Sequence, residues 1–64
     1  MKLRHNKTGY LVEVTHWNHF WVNRMTGLLI NKAATYTYLE GHQKGMTFVG
    51  SLIYIKSNFT KVRT

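Results

Sequence analysis

Residues 15–21 read THWNHFW, two tryptophans, a phenylalanine and two histidines in seven positions, and the backbone assigned to this stretch decides the fold. As a helix, it places Trp17, Phe20, Trp21, Met25 and Leu28 on one face, with Thr15 as N-cap and Gly27 near the end. As a strand, Trp17, His19 and Trp21 lie on one side, with His16, Asn18, Phe20 and Val22 on the other. Periodicity favours the helix, whereas His, Trp, Asn, Phe, Val and Thr are mediocre helix formers and several are good strand formers. We adopt the strand reading, a hairpin YLVEVTHW-NH-FWVNRM that turns at Asn18-His19. A short helix over 16–26 is the alternative. A second alternative, a helix over 31–40, arises because Asn31 and Gly41 are placed to cap one.

Outward from this stretch the chain is divided by glycines at 9, 27, 41, 45 and 50. In GYLVEV, Tyr10, Val12 and Val14 alternate with Leu11, Glu13 and Thr15, the pattern of a half-buried strand. ATYTYL alternates Tyr36 and Tyr38 against Thr35, Thr37 and Leu39. Met46 to Lys56 reads as one long strand, with Gly50 marking a bulge or sharp bend. Ser57-Asn58 reads as a turn into a terminal strand, FTKVR, which completes a hairpin. The expected fold is mainly β: a small antiparallel sheet of about five strands curling into a small barrel, OB-like in size. Residues 1–64 form a single basic β-domain, since the chain has room for one core only.

The tail GSLIYIKSNFTKV resembles the end of SH3-like domains, where a glycine, an apolar pair and a Ser-Asn-aromatic turn lead into the last strand. The matching positions are Gly50, Ile53, Ser57, Asn58, Phe59 and Val62. The resemblance implies SH3-like barrel geometry. The proline that usually precedes Ser-Asn is replaced by Lys56, and the acidic first loop of peptide-binding members is absent, so proline-peptide recognition is not implied.

Nine Lys/Arg against two acids give a net charge of +7. Such self-repulsion is relieved by an anionic partner, and nucleic acid is the commonest. The candidate phosphate contacts are Lys2, Arg4, Lys7, Arg24, Lys32, Lys44, Lys56, Lys61 and Arg63, and those at the two ends meet if the terminal strands pair. Trp17, Trp21, Tyr36 and Tyr38 are the candidate base-stacking residues. The competing expectation is that so small a core needs its aromatics for itself, above all Trp17 and Trp21.

Catalysis is not expected. Glu13 and Glu40 are the only acids, Ser51 and Ser57 sit in no nucleophile motif, and no glycine-rich phosphate loop is present. Nor is a metal site or cofactor. His16 and His19 form an H-x-x-H whose rings leave opposite faces of a regular strand, and zinc takes three or four ligands. No cysteine, no apolar stretch behind the basic start and no run of membrane-spanning length point to a cytoplasmic protein. The leading expectation is therefore a non-enzymatic domain that binds DNA or RNA through backbone electrostatics and exposed aromatics. A small protein–protein effector is the alternative, of the kind a phage encodes, docking on an acidic surface of a larger host protein and modulating it. Pairing of the aromatic face with a second copy, as a homodimer, is a third.

Overall fold

The computed structural model describes residues 1–62. Its strands are β1 (Lys2–His5), β2 (Leu11–Val22), β3 (Leu29–Tyr38), β4 (Thr47–Ser51) and β5 (Phe59–Lys61), and one helix, α1 (Leu52–Asn58), separates the last two. The fold is mainly β, as expected: a five-stranded antiparallel sheet in the order β4-β3-β2-β1-β5. The sheet is open, with β4 and β5 as its edges among the described residues.

The alternation read from the sequence sorts the two faces. Val12 lies opposite both Leu3 and Tyr38, and Val14 opposite Tyr36, which in turn faces Phe48. These residues, with Ala34, Phe59 and Ile55 of α1, make up the core. Lys2, Arg4, Leu11, Glu13, Thr37, Thr47 and Thr60 share the other face through the same ladders. The inner face is therefore covered by a single seven-residue helix.

The expected turn at Asn18-His19 does not exist, and neither the helix over 16–26 nor that over 31–40 forms. β2 runs unbroken for 12 residues. Asn18 does adopt the left-handed conformation a turn requires, at φ 58, but the chain uses it to accommodate irregular pairing. Register shifts occur between Val14 and His16, His16 and His19, and His19 and Trp21. The reversal comes later, where Asn23 Oδ1 accepts from the amides of Met25 (3.0 Å) and Thr26 (3.3 Å) and Gly27 takes φ 72. An Asx turn closed by glycine is a stronger stop than Asn-His, because both central positions are chemically supplied.

The long strand expected over Met46–Lys56 ends at Ser51. Ser51 Oγ accepts from the Tyr54 amide at 3.1 Å and caps α1. Leu52, Ile55 and Phe59 then fall at helical spacing and turn inward together. Opposite them the sheet is thin: Gly50 pairs with Ala34, and a Cβ on Gly50 would lie 3.2 Å from the Tyr54 ring. Gly50 thus makes room for a helix rather than a bend in a strand. Ser57-Asn58 closes α1, and β5 returns to pair with β1 at Leu3–Lys61 and His5–Phe59 instead of forming a hairpin.

The β2–β3 hairpin outgrows its neighbours. β1 accompanies β2 only to Glu13 and β4 accompanies β3 only from Ala33. From Phe20 to Val22 and from Leu29 to Lys32 the two strands therefore stand as a two-stranded arm among the described residues. The arm accounts for a molecule of 34 × 22 × 19 Å.

Candidate nucleic-acid interface

The β1–β5 pairing, the condition under which the sequence gathers the cations of its two ends, brings Lys2 and Arg4 beside Lys61. Lys61 ends that ladder, opposite Leu3. It borders one cleft with Lys2 and Glu13, a second with Arg4, Asn6 and Thr60, and a third with Lys56 and Trp17. The third, of about 360 Å³, lies where β1, β2, α1 and β5 meet. Its apolar interior is formed by Leu3, Ile55 and Phe59, all buried. Trp17 lines it with 40% of its surface exposed, and Lys56 and Lys61 stand at its opening. A regular strand has no reason to present an indole there; Trp17 precedes the left-handed Asn18 in the irregular part of β2.

The two acids are engaged within the fold. Glu13 pairs with the Met1 amino group at 3.1 Å. Glu40 Oε1 accepts from the Leu11 amide at 2.9 Å and pairs with Arg4 at 3.4 Å. Arg4 also donates to the Gly9 carbonyl at 2.6 Å, so it ties the β1–β2 turn to the β3–β4 loop. Arg4 is thus partly committed to structure, whereas Lys2, Lys56 and Lys61 make no ion pair among the described residues.

The other cations lie elsewhere. Lys7, in the β1–β2 turn, and Lys44, in the β3–β4 loop, share the end of the sheet where Tyr10 and His42 approach edge to face at 6.1 Å. Arg24 lies in the turn at the opposite end, and Lys32 borders a cleft on the arm with Leu29, Leu52 and Ile53. The cations form an edge cluster and outlying sites, not one continuous stripe. Arg63 lies outside the described residues.

The candidate stacking residues divide. Tyr36 is 6% exposed and belongs to the core, where its ring meets Phe59 at 5.4 Å and Phe48 at 6.0 Å. Burial, with smaller contributions from the neighbouring Tyr54 and Tyr38, pushes its phenol from 10.0 up to about 12. Tyr38 is half-buried, packs on Phe48 at 5.6 Å, and is shifted upward chiefly by burial and then by Tyr54. The core thus takes its rings from Tyr36, Tyr38, Phe48 and Phe59, and neither tryptophan enters it: Trp17 is exposed and Trp21 is half-buried on the arm.

The candidate contacts read from the sequence do not include Phe20, Met25, Ile53 and Tyr54, all of which are exposed. Ile53 and Tyr54 were hidden by the strand reading of 46–56; Ser51 as an N-cap followed by Leu52, Ile55 and Phe59 is the signal that reveals them.

His16 and His19 lie on the same face. Their rings are 6.0 Å apart, and His19 bonds to Thr35 Oγ1 at 2.8 Å and the Phe20 carbonyl at 3.1 Å through its two nitrogens. No cluster of three metal-ligating side chains occurs among the described residues. No helix among them is long and apolar enough to cross a membrane. Comparison with protein-family models, curated proteins and solved structures yields no significant match.

Proposed function

We propose that this protein is a non-enzymatic, basic β-domain that binds nucleic acid through lysine–phosphate contacts at the β1–β5 edge, in a cytoplasmic setting. The observation that carries the reading is Trp17 exposed in a cleft whose opening holds Lys56 and Lys61, with Lys2 on the same edge. Cations that track phosphates beside an aromatic that accepts a base are the two elements of sequence-tolerant recognition. The strand order, with a helical segment before a last strand that returns to β1, supports an SH3-like geometry for the sheet. Fluorescence anisotropy with labelled DNA and RNA at about 50 mM salt tests the reading, since each neutralised phosphate releases counterions and affinity falls steeply as salt rises. Saturable binding with that salt dependence supports it. Absence of binding to every single- and double-stranded probe at low salt overturns it.

A second reading is favoured by the arm. Phe20, Val22, Met25, Leu28 and Leu29 are exposed there, Met25 to 96%, and the arm's only charged residues are Arg24 and Lys32. An apolar surface with basic residues and no acid complements an apolar patch with an acidic rim on a larger protein. A complex made this way resists displacement by a generic polyanion, whereas a lysine–phosphate complex does not. Heparin competition against whatever complex is captured therefore separates the two.

A further inference from the structure

Resting on the nucleic-acid reading, we infer that the Trp17 cleft seats one unstacked base of a single strand, and that the protein selects single strands over duplexes on that account. The cleft is apolar at its base, since Leu3, Ile55 and Phe59 are buried beneath it. Its volume of about 360 Å³ is at the lower end of small-molecule sites, about 300–1,000 Å³. That admits a nucleotide and excludes a double helix.

Charge and chemistry narrow the occupant. Two lysines and no acid line the cleft, so the ligand is anionic. Trp17 is 40% exposed, and an indole carries a π-face that every nucleobase matches irrespective of sequence. Lys56, in the last turn of α1, and Lys61, on β5, reach the opening from different elements. They are placed to hold the phosphates that flank the seated base. The larger cleft on the arm, about 500 Å³, offers Lys32 alone against Leu29, Ile30, Leu52 and Ile53 and lacks an aromatic. It has neither the charge nor the stacking face for this ligand. In a duplex, bases are stacked and paired, and taking one out costs several kcal/mol unless the strand is already single.

The test compares a thymidine oligomer of about ten nucleotides, within the site size of small β-domains, with an abasic strand of equal length and charge. Trp21→Phe leaves Trp17 as the sole tryptophan reporter. Expected are quenching of Trp17 emission by the oligomer but not by the abasic strand, and roughly ten-fold weaker binding of the abasic strand, the size of one stacking contact. Trp17→Leu should remove that ten-fold difference, so that the two strands bind alike. Lys56→Gln with Lys61→Gln should weaken both probes and lower the salt slope by about 1.4, two phosphates at 0.7 each on single strands. The wild-type comparison needs no substitution, so it decides even if a variant fails to fold. Equal affinity for both strands, or tighter binding to duplex, overturns the seated base while leaving nucleic-acid binding intact. No binding to any probe overturns both.

Discussion

His16 and His19, three residues apart in one strand, place their rings on the same face of the sheet, 6.0 Å apart and inclined at 75°. In a regular strand they would leave opposite faces. The ladder explains the difference: His16 pairs with Thr35 and His19 with Ala33, so three steps along β2 match two along β3. One extra residue is absorbed between them, and Asn18 at φ 58 lies in that interval. His19 is thereby aimed at Thr35 Oγ1, 2.8 Å away.

Asn18 is consequently the position on which the geometry of β2 depends. Asn tolerates the left-handed region, glycine adopts it freely, and a β-branched residue pays about 1–2 kcal/mol to enter it. Asn18→Gly is expected to be neutral to within about 0.5 kcal/mol, and Asn18→Val to destabilise by about 1–2 kcal/mol. Thermal unfolding of the two variants checks this; equal stability would show that the bulge does not constrain the residue.

Two glycines at similar φ separate backbone strain from crowding. Gly9 (φ 77) has nothing within 4 Å of a Cβ position, whereas at Gly41 (φ 83) a Cβ would come to 2.6 Å from the Tyr10 ring. Gly9→Ala is expected to cost about 1 kcal/mol, the conformational component alone. Gly41→Ala should cost more, about 2–3 kcal/mol, because the half-buried Tyr10 ring must also move. Urea midpoints measured side by side test the ranking.

The phenol of Tyr36, raised from 10.0 to about 12 chiefly by burial, makes stability depend on alkaline pH. In the unfolded chain the phenol ionises around 10.0, while in the fold it holds its proton to about 12. Between those values the folded state binds more protons, so stability falls as pH rises. The contribution is complete below pH 10.0 and lost on passing about 12. Tyr36→Phe should flatten this part of the pH profile, and phenolate absorbance of the folded protein should show this tyrosine ionising above the ordinary range. A variant whose alkaline profile matches the wild type would refute the assignment.

On the arm, Phe20 and Met25 are exposed to 62% and 96%, so replacing them removes little packing. Phe20→Ser with Met25→Ser is expected to change unfolding free energy by no more than about 1 kcal/mol, as for surface positions. If the arm is a docking element, the same pair should abolish capture of a protein partner without altering anisotropy on nucleic acid. Sedimentation over a range of concentrations reports in parallel whether the arm pairs with a second copy.

Local pattern was sufficient where one face is buried and the other wet. Val12 and Val14 on β2, and Tyr36 and Tyr38 on β3, alternate with polar residues because period-two burial leaves no other arrangement. The same pattern failed from residue 15 to 22, where β1 no longer accompanies β2, the ladder to β3 shifts register, and both faces carry aromatic or apolar residues. It failed again at Leu52–Asn58, since a short apolar run fits a strand or one buried helical turn equally well.

The amino-acid sequence by itself determined the β character of the chain, its excess of positive charge and its shortage of acids, because these follow from composition and short-range alternation. It also placed cations at both ends, so that any pairing of the terminal strands would gather them. Only the tertiary structure decided that β2 passes straight through THWNHFW and that Ile55 seals the core from a helix. The same is true of Tyr36 going inward while Trp17 stays at the surface beside Lys56 and Lys61. The physical reason is that a core this small holds few rings, and which of them fit is set by contacts between strands distant in sequence rather than by the preference of any one residue.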